Sequence, residues 1–242
     1  MIGDVIAAID LGTSRSAFSY TVIGRDEVLL GVPDRLNESK VSIERKTATA
    51  ILLKRSPENG DGWKHSPENR GGWSMAARGD DAISRPDNKG GWCMVTFGDR
   101  AEQEYLEART GDAEAGSDLV LFKYFKMELF KGGRKGIKRS SVDDADAISE
   151  DKKTRLPLVY VVSLALEHFK DVIIKKVNNN DSHTLRASDI RWVLTVPAIW
   201  SSFGKAFMRT AAFRAGLIQQ EYDMEVWGVE VVFTPGNCQD EI

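Results

Sequence analysis

The chain has 242 residues, 42% of them hydrophobic and 29% charged, with a formal net charge of -3. This composition is that of an ordinary globular protein: it excludes a wholly disordered chain and gives no global pull toward nucleic acid or anionic lipid. No apolar run nears the ~20 residues that span a bilayer, and Asp4 and Asp10 interrupt the first apolar stretch, so neither a membrane span nor a secretory leader is expected. The cysteines number two, Cys93 and Cys238, without CxxC spacing, and His65, His168 and His183 stand apart. Neither a disulfide scaffold nor a zinc site is expected, and a reducing, cytoplasmic setting is the default.

In chain order, residues 5–11 form a near-continuous apolar run, expected as a strand buried on both faces. Residues 16–23 alternate apolar and polar after the Gly12-Thr13 turn, which predicts a hairpin, with a short third strand at Val28-Leu29-Leu30. Residues 47–53, rich in threonine and β-branched side chains, predict a further strand. Residues 55–92 break the pattern. Ser56-Pro57-Glu58-Asn59-Gly60-Asp61-Gly62-Trp63 repeats as Ser66-Pro67-Glu68-Asn69-Arg70-Gly71-Gly72-Trp73, and more loosely as Arg85-Pro86-Asp87-Asn88-Lys89-Gly90-Gly91-Trp92. Proline presets φ and asparagine and glycine accept tight turns, so this reads as a duplicated irregular insertion. Trp63, Trp73 and Trp92 would either pack on their own turns or offer a surface to a protein partner.

Beyond the insertion, residues 94–97 predict a strand and residues 99–109 a helix capped by Asp99. Residues 119–130 are apolar with Lys123 and Lys126 interleaved, and residues 131–155 form a charged loop, basic and then acidic. Leu158, Val162, Leu166, Phe169, Ile173 and Val177 recur at helical spacing and predict a helix over 156–177, with Pro157 in its first turn. A strand is expected at 190–196, then a helix to Ala215 capped by Ser201 or Ser202 and closed by Gly216. Residues 224–233 are apolar and β-prone, an exposed strand able to seek a partner.

The chemistry concentrates at the first turn, Asp10-Leu11-Gly12-Thr13-Ser14. Backbone amides of a tight turn, with the Thr13 and Ser14 hydroxyls, can line a nest for phosphate oxygens. Asp10 repels phosphate directly but can hold a water of a bound Mg²⁺, which neutralises the phosphates.

That turn resembles the first phosphate loop of the actin, sugar-kinase and heat-shock protein 70 superfamily. Arg191-Trp192-Val193-Leu194-Thr195-Val196-Pro197-Ala198-Ile199-Trp200, Phe207-Met208-Arg209-Thr210-Ala211-Ala212 and Ala215-Gly216-Leu217 resemble the heat-shock protein 70 family. Lys46-Thr47-Ala48-Thr49-Ala50-Ile51-Leu52-Leu53, Phe97-Gly98-Asp99-Arg100-Ala101 and Phe122-Lys123-Tyr124-Phe125-Lys126-Met127 are similar, in the same order, to its divergent heat-shock 70 kDa protein 12 branch. The resemblance runs from about residue 6 to 217, interrupted by the insertion.

The resemblance implies an α/β fold: an actin-like ATPase (ribonuclease H-like) lobe, a mixed five-stranded sheet with flanking helices. Residues 1–217 would be that first lobe and residues 218–242 a divergent tail. It implies ATP or ADP with Mg²⁺ as cofactor, with Asp10, Gly12, Thr13 and Ser14 at the phosphates or at the hydrated metal. Lys123, or failing that Lys126, would match the lysine that orients the attacking water, and Pro197 the interlobe proline. The family's Glu-Pro pair is not present in residues 218–232, where Glu221 and Glu225 are candidates by distance alone. A second phosphate hairpin, an adenosine segment and a peptide-binding domain are likewise not found in the sequence. The expectation is therefore a chaperone-related ATP-binding lobe, truncated, with weak or absent hydrolysis. The competing expectation is a non-enzymatic interaction module built on the same lobe. A sugar-kinase relative would need a catalytic aspartate from a second lobe.

Overall fold

The computed structural model describes residues 5–24, 27–33, 46–55, 92–110, 118–129, 145–180, 185–197, 200–218 and 229–234. β1 (Val5–Leu11) turns back as β2 (Arg15–Val22), which turns again into β3 (Val28–Gly31). β4 (Thr47–Ala48) and β5 (Ala50–Arg55) follow, then β6 (Trp92–Phe97), α1 (Asp99–Thr110) and β7 (Leu119–Lys123). A 3-10 turn (Phe125–Met127) and the small hairpin of β8 (Asp146–Ile148) and β9 (Arg155–Pro157) lead into α2 (Leu158–Asn180). A second 3-10 turn (Ala187–Asp189), β10 (Ile190–Pro197), α3 (Ser202–Arg214) and β11 (Val229–Thr234) complete the described chain.

The central sheet has the order β11-β10-β1-β2-β3, with β4 added on β2. β1 runs antiparallel to β2 and parallel to β10, and β10 runs parallel to β11. A mixed α/β lobe of this kind is what the sequence led one to expect. β5, β6 and β7 form a second antiparallel sheet, in the order β6-β5-β7.

Period-2 geometry assigns the faces. Val5, Ala7, Ile9 and Leu11 of β1 and Trp192, Leu194 and Val196 of β10 are buried, while the residues between them are half-buried. Burial on both faces, expected for β1, instead belongs to β5, where Ala50, Ile51, Leu52 and Leu53 are all fully buried. The reason lies in the layers. Ile51 and Leu53 join the main core with α2, whereas Ala50 and Leu52 pack with Ala101 and Tyr105 of α1 on the opposite face.

α2 ties the two sheets together. Its Phe169 ring meets Phe18 of β2 edge-on at 6.3 Å and Phe97 of β6 at 5.4 Å. Lys170 is also buried, and its ammonium donates to the Ala215 carbonyl at 2.8 Å, capping the end of α3. There Gly216 takes a φ of +70°, the left-handed conformation expected of a helix-ending glycine.

Several local expectations change. The strand expected over 47–53 is broken at Thr49, because residues before it pair with β2 and residues after it enter the second sheet. Asp99 does not cap its own helix: its carboxylate accepts from the Ala48 amide at 3.1 Å, while its own amide donates to Thr47 Oγ1 at 2.8 Å. The expected charged loop holds β8 and the start of β9, and Pro157 closes β9 instead of sitting inside α2. Of the apolar run over 224–233, Val229–Thr234 forms an edge strand paired along β10, and residues 224–228 lie outside the described residues. Trp92 is buried at the start of β6, where its carbonyl accepts from Tyr160 Oη at 3.1 Å, so it offers no surface to a partner. Trp63, Trp73 and the basic run of residues 131–139 lie outside the described residues.

Replacing Phe169 with Ala removes the shared contact between the sheets and should cost about 3–5 kcal/mol in urea unfolding. Leu106→Ala on α1, where the side chain is 62% exposed, should stay within about 0.5 kcal/mol of wild type. Equal costs for the two would contradict this packing.

Candidate functional site

The site grows from the β1–β10 pairing. Parallel register sets Ile9 beside Leu194, so the next residues, Asp10 and Thr195, share the half-buried face away from α2. There Thr195 Oγ1 donates to Asp10 Oδ1 at 2.9 Å. The Lys46 ammonium reaches the other carboxylate oxygen at 2.7 Å, and the Asp10 side chain keeps 40% of its surface exposed.

The turn after β1 is sterically fixed. A Cβ on Gly12 would lie 2.1 Å from the Arg15 carbonyl oxygen, so no side chain fits at this corner. Thr13 is half-buried and Ser14 exposed. The Ser14 carbonyl accepts from the Thr49 amide at 2.8 Å, and the Ser16 and Thr49 hydroxyls lie 2.6 Å apart in the buried layer beneath. The Arg15 guanidinium donates to the Lys46 carbonyl at 3.0 Å. The corner is thus held on one side by β10 and on the other by residues 46–49.

The expected lysines separate. Lys123, at the end of β7, pairs with Glu102 of α1 at 2.9 Å. Partial burial works against its charge, but the Glu102 hydrogen bond and field prevail and hold its pKa above the ordinary lysine value. Tyr124, left-handed at φ 51°, then turns the chain so that Lys126 points into the core. Lys126 is 3% exposed, donates to the Leu11 carbonyl and lies 4.8 Å over the Trp200 ring. Burial pushes its pKa down to about 8, with Asp10 opposing the shift. Of the two, Lys126 is the one at the Asp10 end of β1. Pro197 closes β10, and its carbonyl accepts from the Trp200 amide at 3.1 Å. Gly204 lets Trp200 lie flat on α3, since a Cβ there would sit 2.9 Å from the indole.

Sequence reasoning passed over Thr195 and Lys46 as partners of Asp10. The parity of Thr195 along its strand was a usable signal. Lys46 had none, because its approach depends on β4 pairing with β2. Glu221 and Glu225 lie outside the described residues.

Among the described residues no three His, Cys, Asp or Glu side chains gather into a metal cage. One half-exposed carboxylate suits Mg²⁺, which keeps most of its waters and is bound by few carboxylates together with substrate phosphates. The donor set therefore fits a water-mediated Mg²⁺·phosphate site.

No protein-family model matches the chain. Heat shock 70 kDa protein 12A of Homo sapiens is 32% identical over 110 residues, which is 46% of this chain and 15% of that protein. The Mus musculus protein 12A is 36% identical over 109 residues, again 15% of its length, and Homo sapiens heat shock 70 kDa protein 12B is 33% identical over 110 residues. The resemblance to the 12A/12B branch of the heat-shock 70 proteins holds. It covers under half of this chain, and the matched stretch spans about 15% of the 12A and 12B relatives. Among the described residues no helix is long and apolar enough to cross a membrane.

Lys126 makes a pH prediction. The unfolded chain keeps this proton to the ordinary lysine value of 10.5, while the fold releases it near 8. Between those values the unfolded state binds more protons, so stability rises with pH through that window. From pH 7 to 10, wild type should gain about 2–3 kcal/mol from this group relative to Lys126→Met, read as the difference between their urea-unfolding profiles. Parallel profiles would contradict the buried ammonium.

Proposed function

We propose that this chain carries the phosphate-binding lobe of a heat-shock protein 70-like, actin-like ATPase domain, and that it binds Mg²⁺ with ATP or ADP at the β1 corner. The observation that carries the reading is the Thr195–Asp10 hydrogen bond of 2.9 Å beside the glycine corner at Gly12. The strand order, an antiparallel β1-β2-β3 meander continued by parallel β10 and β11, supports a ribonuclease H-like assignment. The names of the partial relatives support the heat-shock 70 label.

When bound, Mg²⁺ neutralises the polyphosphate and polarises its terminal phosphoryl group. Asp10 holds a water of the metal, and Thr195 fixes the carboxylate rotamer that does so. Gly12 lets the chain turn tightly against the Arg15 carbonyl, and the amides and hydroxyls of Thr13 and Ser14 beyond it can donate to phosphate. Lys126 supplies a buried positive charge behind the corner, close enough to Asp10 to feel its field. Lys123, held on Glu102, would have to leave that ion pair to orient a water.

This lobe grips phosphate from one side. Tight binding and turnover would need an opposing surface that excludes water and clamps the leaving phosphate. The setting we propose is cytoplasmic, with a chaperone-related role.

Calorimetric titration with Mg²⁺·ATP tests the reading. Asp10→Ala should weaken Mg²⁺·ATP by at least about tenfold, ~1.4 kcal/mol, while affinity for ATP in excess EDTA changes little. Equal Mg²⁺·ATP affinity in both proteins would remove Asp10 from the site. Heatless titrations of wild type would leave the non-enzymatic interaction module.

A further inference from the structure

Lys46 has no role in the reading above, yet it makes the shortest contact to the Asp10 side chain. Its ammonium lies 2.7 Å from Oδ2 while the Thr195 hydroxyl takes Oδ1, so both carboxylate oxygens are engaged. The two ends of Lys46 are treated differently. Its backbone is anchored: the Arg15 guanidinium holds its carbonyl at 3.0 Å, and the next residues pair with β2, Thr47 against Ser16 and Ala48 against Arg15. Its side chain stays 49% exposed, and an ammonium on a flexible four-carbon stem can swing into water at little cost.

Lys126, the other cation near this carboxylate, is fixed by contrast. It is 3% exposed and committed to the Leu11 carbonyl and the Trp200 ring. Among the described residues, Asp10 thus feels one immobile buried lysine and pairs with one displaceable exposed lysine.

We infer that Lys46 is a displaceable counter-ion of Asp10: it occupies the carboxylate face that a hydrated Mg²⁺ must use, so entry of the metal requires the Lys46–Asp10 pair to open. This rests on the Mg²⁺·nucleotide reading of the site and adds a competition to it. An exposed lysine–carboxylate pair is weak in water and is screened by salt. The competition is therefore modest and salt-dependent, and it sets the Mg²⁺ concentration at which the site fills. Lys46 acts as a positioning residue through Asp10, not as a ligand of the phosphates.

Two measurements on the full chain test it. The first is the rate of reductive methylation of Lys46, followed by peptide mass spectrometry. Asp10→Asn should methylate Lys46 several-fold faster than wild type, and saturating Mg²⁺·ATP should accelerate wild type toward that rate. Equal rates in wild type and Asp10→Asn would overturn the counter-ion pair and leave the nucleotide reading untouched. Acceleration by Asp10→Asn but none by Mg²⁺·ATP would overturn the displacement together with the Asp10 metal assignment. The second is Mg²⁺ dependence of ATP binding by calorimetry. Lys46→Met should reach half-saturation at up to about fivefold lower Mg²⁺ at low salt, with the gap closing as salt rises. Unchanged or higher Mg²⁺ demand in Lys46→Met would overturn the competition, the higher value indicating a phosphate ligand instead.

Discussion

The parallel pairing of β1 with β10 is the constraint from which the site follows. It sets the Ile9–Leu194 register, and that register puts Asp10 beside Thr195 on the open face of the sheet. A one-residue slip would turn Asp10 toward α2 and the core, and the acidic corner would be lost. Parallel neighbours so distant in sequence cannot hold that register alone. The buried faces hold it: Ala7, Ile9 and Leu11 beside Trp192, Leu194 and Val196, over the apolar stripe of α2. The energetic weight of the molecule therefore sits on one face of the sheet, which leaves the other free for polar chemistry.

The corner is built by mutual constraint among short segments. Gly12 allows the sharp approach to the Arg15 carbonyl, the Thr49 amide pins Ser14, and Thr47, Ala48 and Asp99 exchange hydrogen bonds that anchor α1 to the same strand. Lys126 adds a buried ammonium directly behind β1. Keeping it there has a cost that burial reveals in its depressed pKa, and a cost of that kind is tolerated where charge has a use.

Much of this fold was legible in periodicity. The 3.6-residue stripe from Leu158 to Val177, the apolar run of β1 and the alternation of β2 pointed to the main core, and Ser201 and Gly216 marked the ends of α3. Features that depend on which strand finds which partner were not legible. Thr49 divides one apparent strand between two sheets, and a run of strand-forming residues cannot show that change of neighbour. The same limit misplaced the doubly buried strand: β1 read as a continuous apolar run buried on both faces, but β5 is the strand whose two faces meet different helices. At the site, Asp10, Gly12, Thr13 and Ser14 stood out as a turn with chemistry in it. Lys123 and Lys126 were indistinguishable by composition, because the left-handed Tyr124 between them sends one to Glu102 and the other into the core.

The central claim is that the polar corner beside the β1–β10 pair receives a metal-bound polyphosphate. Amide chemical shifts of the isotope-labelled chain, followed as Mg²⁺·ATP is added, test it most directly. The account predicts that the largest changes centre on Gly12, Thr13, Ser14 and Thr195, fade along β1 and β10 away from the corner, and leave the far end of α2 still. Changes concentrated elsewhere, or none at saturating Mg²⁺·ATP, would contradict it.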